Sequence, residues 1–179
     1  MREARLSFSM LMLFAPSPAN AANDLGIAMD SVPKALTEAA ARIGVSIDPM
    51  SFAYTCAVSN CHLDAGSAVD VMAGRIRGPT AYTMEVSWNN GERDSSSTSR
   101  MLFHAMCATM VAAVEPTWSQ QRVEAMVTQL ALLRQSKEDQ DFEMAVPGLV
   151  FYGRRAVPTK RDFRAEAFVT CGVRADLKM

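Results

Sequence analysis

Between Ser31 and Val173 the spacing of apolar residues changes period three times, and each change restricts its segment to one kind of element. The first segment is helical. Val32, Ala35, Leu36, Ala39, Ala40 and Ile43 recur on one face, Ser31 stands where a cap belongs, Pro33 fits the first turn and Gly44 stops the run. The period then falls to two. Phe52, Tyr54, Cys56 and Val58 alternate with small or polar residues, Val69 to Arg77 reads as a strand ended by Gly78-Pro79, and Tyr82, Met84, Val86 and Trp88 make a half-buried strand. Asn89-Asn90-Gly91 is turn chemistry, and Glu92 to Ser99 reads as a loop.

Helical spacing returns from Thr98 or Arg100. Met101, Leu102, Ala105, Met106, Thr109, Met110, Ala113 and Val114 form one stripe, with Phe103, Cys107 and Val111 on the far side. A helix apolar nearly all round is expected to be buried. Pro116 separates it from a second helix, for which Thr117 and Gln120 fit a capping box and Val123, Met126, Val127, Leu130 and Leu133 supply the inner face. The last segment reads as a hairpin, with Leu149 and Phe151 in one strand, Gly153 to Asp162 as the connection, and Phe163 to Val173 in the other. The order of helix, three strands, two helices and two strands predicts an α+β fold: an antiparallel sheet of about five strands with three helices packed mainly on one face.

The start of the chain is of a different kind. A basic opening (Arg2, Arg5) precedes an apolar run, Leu6 to Phe14, that is too short to span a bilayer. Pro16 and Pro18 then lead to the small-x-small pattern Ala19-Asn20-Ala21. This order predicts a secretory signal peptide over residues 1–21 and one globular domain over 22–179, periplasmic or secreted, with no membrane span in the mature protein. In an oxidising compartment the four cysteines, Cys56, Cys61, Cys107 and Cys171, are expected to pair. Three pairings are open. Cys56 and Cys61 lie close enough to staple one bend, which favours 56–61 with 107–171.

Charge narrows the function classes. The formal net charge of −1 lacks the basic excess of a nucleic-acid-binding domain. The distribution is uneven, since the acidic run Glu138 to Glu143 precedes a basic C-terminal stretch. Solvated loops account for both in the simplest reading. The sharper reading makes the connection carrying Arg154, Arg155, Lys160 and Arg161 a contact region, because arginine suits bidentate carboxylate or phosphate contacts.

No Gly-x-Ser-x-Gly elbow, phosphate-binding glycine loop or His-Glu-x-x-His helix is present. His104 falls within the apolar helix, which predicts a core histidine. Cys61 and His62 point to opposite faces of an extended chain and make a poor nucleophile–base pair. A weaker alternative gathers Cys61, His62, His104 and Cys107 into a tetrahedral metal site, against the competition of an oxidising compartment for both thiols. The methionines on the helical stripe read as core filler. Trp88 reads inward; Trp118 fits either an exposed position or a lid over the helix pair.

The expected function is that of an exported, non-enzymatic binding protein without a cofactor. It would contact another envelope or secreted protein, or an anionic ligand, through the basic connection. The rival is a secreted hydrolase using Asp64, Asp70 and Glu85, which requires those carboxylates to converge in a cleft.

Overall fold

The alternating segments join into one sheet because each has a buried row that the helices can cover. A computed structural model of the protein describes residues 24–66, 69–89, 97–132, 140–156 and 168–176. The proposed leader lies outside them. The described elements are α1 (Val32–Ile43), β1 (Ala53–Cys56), β2 (Asn60–Asp64), β3 (Val69–Gly74), β4 (Thr83–Asn89), α2 (Ser97–Val114), α3 (Gln120–Leu132), β5 (Gln140–Val146), β6 (Leu149–Ala156) and β7 (Phe168–Ala175). The strands form a seven-stranded sheet in the order β1-β2-β3-β4-β7-β6-β5. Every neighbouring pair is antiparallel.

One face of the sheet is apolar. Leu63, Val71, Met84, Val86, Trp88, Phe151, Val169 and Val173 are all buried there in a single cluster with Leu36, Phe103, Met106, Met110, Val127 and Leu130 of the helices. Each large side chain buried this way contributes about 1.5–3 kcal/mol relative to exposure. The helix α2 is the central one, packing against α1, α3 and β4. Trp88 meets Phe103 with ring centroids 5.9 Å apart. Trp118 acts as a lid: it is half-buried, 5.5 Å from the Phe151 ring, with the Arg122 guanidinium 4.0 Å above it.

Two disulfides tie this arrangement. Cys107–Cys171 links α2 to β7 and closes a sequence separation of 64 residues. Cys56–Cys61 joins directly opposed positions of β1 and β2. Local signals hold the helix ends. Gly44 takes the left-handed conformation (φ 70°) that a side chain resists, and its N–H returns to the last turn of α1. Ser31 precedes α1 as expected, but its hydroxyl donates to Asp30 rather than to the helix. The Arg42 guanidinium donates to the Ala112 carbonyl in the last turn of α2, where carbonyls lack helical partners. No described helix is long and apolar enough to cross a membrane.

The structure corrects several expectations. The sheet has seven strands rather than about five. The missed strand β2 is only five residues long and turns Asn60, His62 and Asp64 outward, leaving two inward positions, Cys61 and Leu63, as its signal. The other missed strand, β5, begins inside the acidic run: Asp141 and Glu143 are exposed while Phe142, Met144 and Val146 pack on the core. The third strand stops at Gly74, so Arg75 to Arg77 belong to the following loop. The α2 face buried most deeply carries Phe103, Cys107 and Val111 with Met106 and Met110, whereas Met101 is exposed. His104 is exposed, not a core histidine. At α3, which begins at Gln120, the Ser119 hydroxyl accepts from Arg122 N–H, so Ser119 stands in the cap position. Gly153 to Ala156 continue β6 instead of forming the connection. Leu133 and Phe163 to Ala167 lie outside the described residues.

Candidate binding face

Among the described residues no helix covers the second face of the sheet, and its side chains line up in rows set by the strand register. One row runs His62, Met72, Glu85, Gly172, Tyr152 and Glu143 from β2 to β5. A neighbouring row contains Asp64, Asp70, Ser87, Thr170, Arg154 and Asp141. These positions alternate with the buried ones, so the same spacing that builds the core also builds the polar face.

Glycine at 172 shapes the middle of the first row. A Cβ there would lie 2.3 Å from Tyr152 Cζ and 2.6 Å from its hydroxyl oxygen. Because residue 172 has no side chain, the Tyr152 ring crosses β7 and its hydroxyl donates to Glu85 on β4. Thr83 Oγ1 lies 3.2 Å from the same hydroxyl and donates to the Val173 carbonyl. Burial, and the carboxylate that Tyr152 faces, push its phenol well above the ordinary tyrosine range. Arg174 spans in the other direction. It passes 5.6 Å from the Tyr152 ring centroid and donates to Glu143 Oε1 at 2.9 Å. Two long side chains thus cross one another over β6 and β7. Between them opens a recess of about 260 Å³, whose lining includes Tyr82, Thr83, Glu85, Tyr152, Arg154 and Arg174.

Arg154 stands at the rim, its Nε donating to Asp141 Oδ1 at 3.1 Å. Both partners are exposed (60% and 68%), so the pair is worth about 0–1 kcal/mol. Arg155, grouped with Arg154 on sequence, is half-buried one position further along β6 and therefore on the opposite side of the sheet. Lys160 and Arg161 lie outside the described residues.

The carboxylates expected of a hydrolase are arranged differently. Asp64 and Asp70 are directly opposed across β2 and β3, and Asp70 Oδ2 is 3.2 Å from His62 Nδ1. They stand on a strand surface, with Asp64 exposed, while Glu85 is engaged by Tyr152. The four residues of the metal alternative are engaged differently: Cys61 and Cys107 are in separate disulfides, with His62 on β2 and His104 on α2. No group of three His, Cys, Asp or Glu among the described residues is placed to hold an ion.

A larger, mainly apolar groove of about 410 Å³ lies between the end of α1 and the outer sides of α2 and α3, lined by Ile43, Met101, Ala105, Ala108 and Val123 with Arg100, His104 and Glu124. The sheet recess is the stronger candidate despite its size, because charged and hydroxyl groups from β4, β5, β6 and β7 converge there and orient a ligand better than an apolar trough. Glu85 and Arg154 are candidates on sequence alone, whereas Tyr152, Gly172 and Arg174 emerge from the register of the sheet. The available signal was the polar row Thr170-x-Gly172-x-Arg174 in an otherwise apolar strand, since a strand glycine often marks close approach by a neighbour. No protein-family model, no curated protein and no solved structure matches the chain.

Proposed function

We propose that the protein is an exported, non-enzymatic binding module that holds an envelope or secreted partner against the helix-free face of its sheet. The reading rests on the polar recess between β4 and β5, with Arg154 and Arg174 at its margin. Each guanidinium is held by a carboxylate of the edge strand β5, and the Arg154 pair is open to solvent. An anionic group on the partner replaces Asp141 or Glu143 at small cost, because the two arginines are already oriented and keep a charge-assisted partner throughout. Lys160 and Arg161 follow β6 in the sequence and add positive charge to this part of the chain. Export is supported by the leader pattern and by the disulfide-bonded cysteines, which suit an oxidising compartment.

The hydrolytic reading has less support, since Asp64 and Asp70 lie on open strand surface and Glu85 is committed to Tyr152. The test compares three proteins: the unaltered chain, Arg154→Glu combined with Lys160→Glu and Arg161→Glu, and Met101→Lys in the helical groove as a control. The triple variant is expected to melt within a few degrees of the parent and to lose about tenfold or more in capture of its partner from envelope extract. Undiminished capture by the triple variant, or loss only with Met101→Lys, would move the site elsewhere.

A further inference from the structure

The two edges of the sheet are built differently. At one edge β5 presents Asp141 and Glu143, charges that discourage strand-on-strand association. At the other, β1 has a strand neighbour on one side only among the described residues. The sequence between Asp48 and Asp64 contains no Asp, Glu, Lys or Arg. Ala57 N–H donates to the Asn60 carbonyl at 2.8 Å, which makes that pair a hydrogen-bonded one. Hydrogen-bonded and non-hydrogen-bonded pairs alternate along an antiparallel ladder, and the short 4.0 Å Cα separation of Cys56 and Cys61 fits the second kind. The backbone N–H and C=O of Cys56, and by the same alternation those of Tyr54, therefore point away from β2 toward the open edge.

Apolar side chains flank this edge at both ends. Met50 is 59% exposed before β1, and Val58 is 86% exposed after it. Ile76, 61% exposed, follows Arg75, whose N–H donates to the Ser59 carbonyl at 2.9 Å and whose guanidinium donates to the Val58 carbonyl at 2.6 Å. Apolar surface gathered around an unpaired strand marks an association site.

We propose that β1 is a self-association edge, at which a second copy of the chain pairs its own β1 antiparallel about a two-fold axis and joins the two sheets. The symmetry favours this occupant. A two-fold axis reverses strand direction, so the Met50 end of one copy meets the Val58 and Ile76 end of the other, twice. The absence of charge lets identical strands meet without repulsion, which β5 would not allow. A four-residue ladder buries much less than the ~1,200 Å² of a standard stable interface, so the dimer is weak and concentration-dependent. The proposal is independent of the partner-binding face.

Sedimentation equilibrium of the purified protein up to millimolar concentration, with amide hydrogen exchange followed by NMR, tests it. Self-association is expected, with the Tyr54 and Cys56 amides exchanging more slowly as concentration rises. Met50→Lys and Val58→Glu, both at exposed positions, are each expected to raise the dimer Kd about tenfold while leaving the melting temperature in place. The double variant is expected to recover association, because the Lys at 50 of one copy then meets the Glu at 58 of the other. A monomer at every concentration overturns the proposal, as does a dimer indifferent to both substitutions. Protection of the two amides only on adding an unrelated uncharged peptide, with the protein still monomeric, assigns the edge to a foreign strand instead.

Discussion

On the helix-covered face of the sheet, Leu63, Met84, Val86, Phe151 and Val173 touch neighbours on all sides and are buried below 2% exposure. On the helix-free face, one residue away along the same strands, Thr83, Glu85, Tyr152 and Arg174 are half-buried and owe that cover to one another. The first face is stabilised by many small dispersion contacts plus disulfide links; the second is stabilised by a few directed bonds between long side chains that cross whole strands. Loss of one contact on the covered face is shared among its neighbours. Loss of one member of the crossing network removes the support of the next, which is the property expected of a surface whose groups must be held in fixed directions.

The largest expected effect breaks the covered side. Replacing Cys107 and Cys171 together by Ala releases a 64-residue loop and is expected to lower stability by about 2–4 kcal/mol in denaturant unfolding. A loss well under 1 kcal/mol would mean that packing alone fixes α2 on β7. Next comes the free side. Gly172→Ala introduces a Cβ into the space of the Tyr152 ring and is expected to cost about 1–3 kcal/mol. In a Tyr152→Leu background the same change should cost markedly less; equal costs in both backgrounds would show that the two positions are uncoupled.

The smallest effect sharpens the comparison. Tyr152→Phe removes the hydroxyl from Glu85 and Thr83 and is expected to cost about 0.5–1.5 kcal/mol. It should also change the alkaline limb of stability. Burial raises the folded phenol pKa of Tyr152, and that of Tyr54 is pushed up to about 12 by burial and by Asp30. An unfolded tyrosine ionises near pH 10. Both therefore leave stability intact below about pH 10, and it is lost as the pH rises toward their folded values because the unfolded chain releases its protons first. Unfolding free energies measured from about pH 9 to 11.5 should fall less steeply for Tyr152→Phe than for the parent. An unchanged slope would place the alkaline sensitivity elsewhere.

The covered face was more legible in the amino-acid pattern than the free one. Alternation at Tyr82 to Trp88 and at Val169 to Val173 marked inward rows directly, and burial enforces that pattern because a one-residue slip would turn every apolar side chain to water. The short strand β2 and the acidic edge strand β5 escaped because their outward residues outnumber or disguise the inward ones. His104 and Met101 were misplaced for a related reason: α2 is apolar around most of its circumference, so periodicity could not say which side meets the sheet. The crossing of Tyr152 and Arg174 depends on β7 lying between β4 and β6. That order comes from long-range pairing, which local spacing does not encode.

The placement of β7 has a consequence for how the chain is made. The last described strand to leave the ribosome takes a central position, so β4 and β6 have no shared neighbour until it arrives, and the sulfur of Cys107 has no native mate. The sheet cannot close piecemeal while synthesis proceeds, and its completion depends on contacts distant in sequence, which form slowly. A truncated copy lacking Phe168–Ala175 would leave β4 and β6 without the strand that joins them, and the sheet would fall into two separate pieces.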